Sequence, residues 1–330
     1  MAYSSNEVSP PRMQTATVTV GTKSSSINHA LCGSTAGVMS KLLLQPLDLI
    51  RTRVQVQDGL KGTSSLPQYT GVRNAFLTIV KTEGAAGLYT GVLPNLVGSG
   101  VAWGTYFLIY SNLKIQIRKN LTAGKELSSR HHLLAGVLSG MGTVIITNPI
   151  WMVKTRLQLQ SKFYSSANVR YNGMFDCVRR MVREEGLLTF YRGIGPSISL
   201  CSNHALQLAF YEKLRRWSIQ RFHHNDKKDP SIRETLVMGA AAKSLSATIT
   251  YPLYIVRSRL YQRAEKDPTN TAKKYKFSGF RDVLSRTFRH EGGLGFYKGL
   301  VPHLMKTAPS AALTFTFYEY LITLTDSKWT

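Results

Sequence analysis

Three lysines stand where charge is expensive. Lys41, Lys243 and Lys306 each fall inside a long apolar stretch. A charge at such depth in a hydrocarbon layer costs several kcal/mol and by default marks a functional site. Ammonium groups there suit a phosphate or a carboxylate. Trp103 and Tyr106 could stack a flat heterocycle, and His204 and Gln207 could supply directional hydrogen bonds. Blander readings stay open for each: long side chains snorkel, and aromatics pack helices or sit at membrane interfaces. No nucleophile–base–orienter set, metal-ligand cluster or phosphate-binding glycine loop accompanies these residues. They suggest a cavity that binds an anionic small molecule, with no catalytic residue, no metal and no resident cofactor.

The elements that position them repeat three times. "QPLDLIRTR", "NPIWMVKTR" and "YPLYIVRSR" place prolines at 46, 149 and 252, two equal intervals of 103 residues. Each is followed by an aromatic-x-Gly start, a short amphipathic pattern, Glu-Gly, Tyr and Gly, as in "YNGMFDCVRRMVREEGLLTFYRG". Within each unit lie two long apolar stretches, near 27–50 and 92–114, 131–154 and 194–216, and 234–257 and 300–323. At about 1.5 Å per helical residue each can cross about 30 Å of hydrocarbon. Polar residues recur along them at helical spacing, as walls of a water-filled cavity require. Gly33 with Gly37 and Gly136 with Gly140 favour close helix packing. The expectation is an all-α membrane protein of six transmembrane helices in three tandem pairs. The divisions are a flexible tail over 1–26 and repeats over 27–125, 126–230 and 231–330. The three lysines break the repeat: Lys41 corresponds to Val144 and Ala247, Lys243 to Gly37 and Gly140, and Lys306 to Gly98 and Leu200. A ligand without threefold symmetry is recognised by such unrepeated residues.

The totals fit this picture. Formal net charge is +24 over 330 residues, which calls for anionic partners. A nucleic-acid binder would carry its cations on soluble faces with interleaved aromatics, whereas here many cluster at the ends of apolar stretches. Cys32, Cys177 and Cys201 form neither a disulfide framework nor a zinc pattern and read as small apolar residues. Glu83, Glu185 and Glu291 close the short helices and read as structural.

The triplicated proline motif with its Glu-Gly…Gly element resembles the mitochondrial carrier family over residues 27–323. The resemblance implies a threefold pseudosymmetric bundle with short matrix helices, multi-pass in the mitochondrial inner membrane, both termini toward the intermembrane space. It implies alternating access and function as a monomer. The prolines bend their helices, and residues of the motif form a matrix gate: Pro46, Asp48 and Arg51; Pro149, Trp151 and Lys154; Pro252, Tyr254 and Arg257. Asp48 would pair with Lys154, Trp151 would lie over Arg257, and Tyr254 would hydrogen-bond Arg51. Family contact points fall on Gly98 and Ser99, on Leu200 and Cys201, and on Lys306 and Thr307, the small pair leaving room for a bulky ring. A degenerate cytosolic gate would use Lys114, Glu212, Arg215 and Glu319. Helix starts at Gly71, Gly91, Gly173, Gly193, Gly279 and Gly299 would hold cardiolipin through free N–H groups.

Trp151 within "NPIW…KTRLQLQ", the stretch "GLYTGVLPNLVGSGVAWGTYFLIYSNLK" and "YNGMFDC" resemble the folate/FAD branch. The implied substrate is FAD, with folate, NAD or pyrimidine nucleotides as alternatives in the same fold. A non-transporting scaffold or a nucleic-acid-binding protein is the alternative from another class. Extraction separates these: the protein should resist carbonate and salt and need detergent for release. Release by carbonate alone would exclude the membrane reading.

Overall fold

A computed structural model describes residues 23–57, 69–120, 129–160, 170–222, 231–266, 273–275 and 277–326. Most of the expected tail lies outside these, but 23–26 already belong to the first helix. Most of the stretch between the second and third repeats is also outside them. Each repeat is built as long helix, short helix, long helix. The first has α1 (Lys23–Val56), α2 (Val72–Glu83) and α3 (Val92–Asn120). The second has α4 (Ser129–Leu159), α5 (Met174–Glu185), α6 (Ile194–Ser199) and α7 (Ser202–Phe222). The third has α8 (Ile232–Leu260), α9 (Phe280–Glu291) and α10 (Leu300–Asp326). Neighbouring repeats meet along α3 and α4, α7 and α8, and α10 and α1.

Pro46, Pro149 and Pro252 lie inside their helices rather than ending them. In each case the residue before the proline reaches sideways to the turn that precedes the second long helix. Gln45 donates to the Thr90 carbonyl at 3.2 Å, Asn148 to Phe190 at 2.6 Å, and the Tyr251 hydroxyl to Lys298 at 3.2 Å. These bonds pin the proline level of each first helix to the start of its second.

Two departures from the sequence expectation have local causes. The stretch 194–216 is not one helix. It breaks between α6 and α7, where Cys201 N–H bonds to Ile198 and Asn203 N–H to Leu200 in tighter three-residue turns. Ser199 and Ser202 flank the break, and their hydroxyls bond to the Gly195 and Ser199 carbonyls, at 3.1 and 2.7 Å. Side-chain competition of this kind disturbs helices. The chain is also not wholly helical: β1 (Ala264–Lys266) and β2 (Lys273–Tyr275) pair antiparallel, Ala264 opposite Tyr275, in the connection between α8 and α9. Among the described residues, two segments, Ala85–Asn120 and His131–Leu159, are long and apolar enough to cross a membrane by composition.

Apolar clusters pack the short helices onto the first long helix of each repeat. In repeat two Met152, Val153 and Leu157 meet Tyr171, Cys177, Met181 and Phe190. Burial pushes the Cys177 thiol up to about 12, leaving an inert small apolar residue. Above these clusters lies a ring of three buried arginines. Arg53 grips both oxygens of Glu83 at 2.7 and 2.8 Å and donates to the Gln158 and Gln160 carbonyls of repeat two, at 2.9 and 3.0 Å. Arg156 grips Glu185 at 2.7 Å through both nitrogens and donates to the Tyr261 carbonyl of repeat three at 3.2 Å. Arg259 bonds Glu291 at 2.8 Å and Thr287 at 2.7 Å, and donates to the Gln55 and Gln57 carbonyls of repeat one, at 3.3 and 3.4 Å. The ring closes on itself.

The same closeness fixes the closing glycines. Gly91 has φ +79°, and a Cβ there would meet Gln158 Cγ at 2.9 Å and the Lys154 carbonyl at 3.3 Å. Only glycine tolerates both the dihedral and the contact.

Burial alone would raise the Glu291 carboxyl, but the hydrogen bonds from Arg259 and Lys298 bring it below its ordinary value. Its contribution is therefore full above the ordinary glutamate range and is lost as pH falls through the depressed value. Glu291→Gln should cost about 3–5 kcal/mol near neutral pH, the usual effect of unpairing a buried charge. The gap in thermal stability from wild type should close in acid. A gap that stays constant down to the lowest pH at which the protein folds would remove the charge from the account.

Candidate substrate-binding site

Asp48, one turn beyond Gln45 on α1, is buried and collects two ammonium groups. Its Oδ2 accepts from Lys154 Nζ at 2.6 Å and from Gln158 Nε2 at 3.2 Å; its Oδ1 accepts from Lys306 Nζ at 2.5 Å. Thr52 holds the Gln158 amide through a 2.8 Å bond to Oε1. The Asp48–Lys154 pair is the one expected. Lys306 was expected in the cavity as an anion holder, and here it is also the second partner of the gate carboxylate.

The other two motif positions are occupied by rings. Arg51 lies over the Tyr254 ring, 4.7 Å from its centre, and Arg257 lies 5.2 Å from the same centre. Lys154 is 5.3 Å from the centre of Trp151. Two expected pairings are thus corrected. The cation over Trp151 comes from its own helix one turn on, because Lys154 reaches back past it toward Asp48, and Arg257 stacks on Tyr254 instead. Arg51 meets the face of Tyr254, not its hydroxyl. Arg51 Nε is buried with no hydrogen-bond partner. His303, which the sequence reading missed, packs against the Tyr251 and Tyr254 rings at 5.7 and 5.5 Å, with a buried Nδ1 also without a partner.

Two of the unrepeated cations neighbour the third. Lys41 and Lys243 each lie within electrostatic range of Lys306, and Lys243 within range of His204 and His303. Lys41 is half-buried; Lys243 and His204 are exposed. On α3, Ser99, Trp103, Tyr106 and Tyr110 share one stripe by their i, i+4, i+7, i+11 spacing. The Trp103 ring stacks on Phe107 at 5.8 Å and meets Tyr106 edge-on at 6.4 Å, while Tyr106 stacks on Tyr110 at 6.0 Å. The opposite side of α3 exposes Leu93, Val97, Val101, Leu108 and Ile115.

Other candidates are placed less favourably. The space beside Gly98 is filled: a Cβ there would meet Ile150 Cγ2 at 3.0 Å and the Trp151 ring at 3.6 Å. Its smallness admits a neighbouring helix, not a ligand ring. Ser99 donates to the Asn95 carbonyl at 2.7 Å. Leu200 and Thr307 are buried, Gln207 is half-buried, and Cys201 packs near Gly140. The helix-start glycines divide in two. A Cβ at Gly71, Gly173 or Gly279 would meet nothing within 4 Å, while Gly91, Gly193 and Gly299 abut the next repeat.

At the far end of the helices, Glu212 makes a 3.6 Å ion pair with Arg216 of its own helix, both exposed. Lys114 and Glu319 are exposed and Arg215 is half-buried. Hydrogen bonds join Tyr110 to His132 at 2.9 Å and Tyr318 to His29 at 3.1 Å across neighbouring helices. Among the described residues, Asp48 with Lys154 and Lys306 and Arg263 with Glu184 pair charges between repeats on the side of the proline motifs. Tyr254→Asp would place a carboxylate between Arg51 and Arg257. It should stabilise this arrangement by about 1.5–3 kcal/mol, the worth of hydrogen bonds to a charged group, read as a raised melting temperature. An unchanged or lowered one would show that the arginines do not need an acid there.

Comparison with known proteins agrees with this threefold geometry. The family model for the mitochondrial carrier protein matches residues 22–121, 125–222 and 228–328. Folate transporter 1, chloroplastic, of Arabidopsis thaliana is 37% identical over 301 residues, 90% of this chain and 94% of that one. Nicotinamide adenine dinucleotide transporter 2, mitochondrial, of the same plant is 32% identical over 89% of this chain and 78% of its own. Peroxisomal membrane protein PMP34 of Mus musculus is 31% identical, covering 91% and 94%. The chain belongs to the mitochondrial carrier family.

Proposed function

We propose that the chain carries a bulky, anionic, ring-bearing cofactor across an organelle membrane, FAD being the reading of its sequence motifs. The observation that carries this is the charge imbalance of the site. Lys154, Lys306 and Arg51 act on a single carboxylate, Asp48, while Lys41 and Lys243 neighbour Lys306 and Arg257 shares the Tyr254 ring with Arg51. A cavity with that surplus favours a ligand with two or more negative charges. The pyrophosphate of FAD meets the lysines in this reading, and the α3 stripe of Trp103, Tyr106 and Tyr110 flanks its rings. Folate, with its carboxylates and pterin, is the second reading, favoured by the Arabidopsis folate transporter.

The long helices α1, α3, α4, α8, α10 and the broken pair α6–α7 make six spans in this reading. Exposed aliphatic faces such as that of α3 lie against lipid. Pairing at the proline end makes this the state closed on the matrix side and open on the cytosolic side. The membrane is the mitochondrial inner membrane, with both termini toward the intermembrane space and the single chain as the working unit. Cardiolipin phosphates bind at the open starts of α2, α5 and α9.

The mechanism follows from the residues. Anions enter from the cytosolic side, the end away from the Asp48 pairs. The lysines hold the anionic group at the level of Lys306. Separation of Asp48 from Lys154 and of the arginines from Tyr254 opens the proline end, while the helices close at the other.

Purified protein in cardiolipin-containing liposomes should take up FAD or folate saturably and in preference to NAD and a pyrimidine nucleotide. Lys306→Ala should lower uptake about tenfold or more, since losing one desolvated charge contact costs at least about 2 kcal/mol. Preference for NAD or a pyrimidine nucleotide would overturn the substrate; undiminished uptake by the variant would remove Lys306 from the site.

A further inference from the structure

We propose that Lys306 is a latch shared between substrate and gate. The ammonium that takes the anionic group of the cargo is the one that, in the empty carrier, serves as second counter-ion of Asp48. The proposal rests on the reading of an anionic ring-bearing substrate.

Three observations carry it. First, Asp48 joins all three repeats: it belongs to α1, Lys154 to α4 and Lys306 to α10, with both ammonium contacts at 2.5–2.6 Å. Secondly, the partners differ in freedom. The Asp48 side chain is 4% exposed and that of Lys154 12%, whereas that of Lys306 is 26% exposed. The buried carboxylate is less free to move out to a ligand than the more exposed lysine is to turn toward one. Thirdly, two ammonium groups share one carboxylate beside an arginine whose Nε has no partner, so the cluster carries surplus positive charge.

An incoming phosphate or carboxylate therefore competes with Asp48 for Lys306. Taking the lysine removes the only one of these contacts that ties α10 to α1 and α4 through the carboxylate. Recognition of the anion and release of the third repeat from the gate become one event. Asp48 and the substrate are rivals, which gives an expectation of unusual sign: deleting the gate acid should tighten binding.

The test uses the full-length protein in detergent, with thermal unfolding followed in titrations of FAD, folate and NAD. Without ligand, the losses in melting temperature from Asp48→Asn and Lys306→Gln should be non-additive, the double variant losing little more than either single one. With the ligand that stabilises wild type, Asp48→Asn should bind roughly tenfold tighter and Lys306→Gln roughly tenfold weaker, with the double variant resembling Lys306→Gln. Lys154→Met gives a check of opposite sign that does not depend on the Asp48 variant folding. With its rival gone, Lys306 is held more firmly by Asp48, and binding should weaken. Additive losses in the empty protein would overturn the latch. So would unchanged or weaker ligand binding by Asp48→Asn, or tighter binding by Lys154→Met, where wild type does bind one of the three ligands. If none of the three stabilises wild type, the substrate reading itself falls, and the latch falls with it.

Discussion

A buried guanidinium must have its charge matched and its donors filled, and in this chain no repeat can do both alone. Arg53, Arg156 and Arg259 are almost fully inaccessible, at 0, 3 and 1% exposure. Each finds its counter-charge within its own repeat, in Glu83, Glu185 or Glu291, but sends its Nε to a backbone carbonyl of the next. Removing a repeat would strand donors in its neighbour and carbonyls at its own edge, and unpaired buried groups of this kind are costly. The three units are thus held in cyclic register by a demand for polar satisfaction rather than by apolar contact alone. The close approach at Gly91, Gly193 and Gly299, each against the next repeat, belongs to the same packing of one unit on another.

On that symmetric floor the site is asymmetric. At the proline level one position of three keeps its acid. Asp48 is held by Lys154 and Lys306, while Tyr254 separates two arginines and Trp151 lies under Lys154. The arginine ring lies next to the prolines in sequence yet differs in kind. It gives each arginine a buried glutamate and a backbone carbonyl of the next repeat, whereas the proline level has one carboxylate and three cation–π contacts on two rings. The alternation proposed above needs two end states within a few kcal/mol of one another. Rigid pairing in the ring and thin pairing at the gate assign permanence to one level and release to the other.

How much of this was legible depends on whether a feature repeats. The helix pairs, the proline positions and the structural role of the three glutamates follow from threefold periodicity, and Asp48 with Lys154 from the family resemblance that it carries. The ring itself was within reach: Arg53, Arg156 and Arg259 recur every 103 residues and the glutamates recur nearly so, which marks them as mutual partners. The Asp48–Lys306 contact was not, because its partners are 258 residues apart and neither recurs in the other repeats. The break between α6 and α7 is flanked by Ser199 and Ser202, which have no hydroxyl counterparts in the other repeats. Gly98 shows the limit of reading size as space. The gap left by a missing side chain was claimed by Ile150 and Trp151 of the neighbouring helix, and sequence gives no sign of which neighbour will arrive.

The replacement of two gate acids by aromatics has a consequence for selectivity. A carboxylate at position 254 would neutralise Arg51 and Arg257 and fill their donors. A phenol ring instead contributes about 0.5–2 kcal/mol of cation–π attraction per contact and leaves the positive charge in place. In the proposed carrier the gate is therefore weakened, and the site beside it made more positive, by the same residue. The surplus repels itself, and at an effective dielectric near 20 a pair of unit charges 4 Å apart interacts by about 4 kcal/mol. An anion that enters relieves this repulsion at the point where the closed state is least secured. In such a site the affinity for anions and the ease of opening cannot be set independently, because both depend on how many carboxylates the gate lacks.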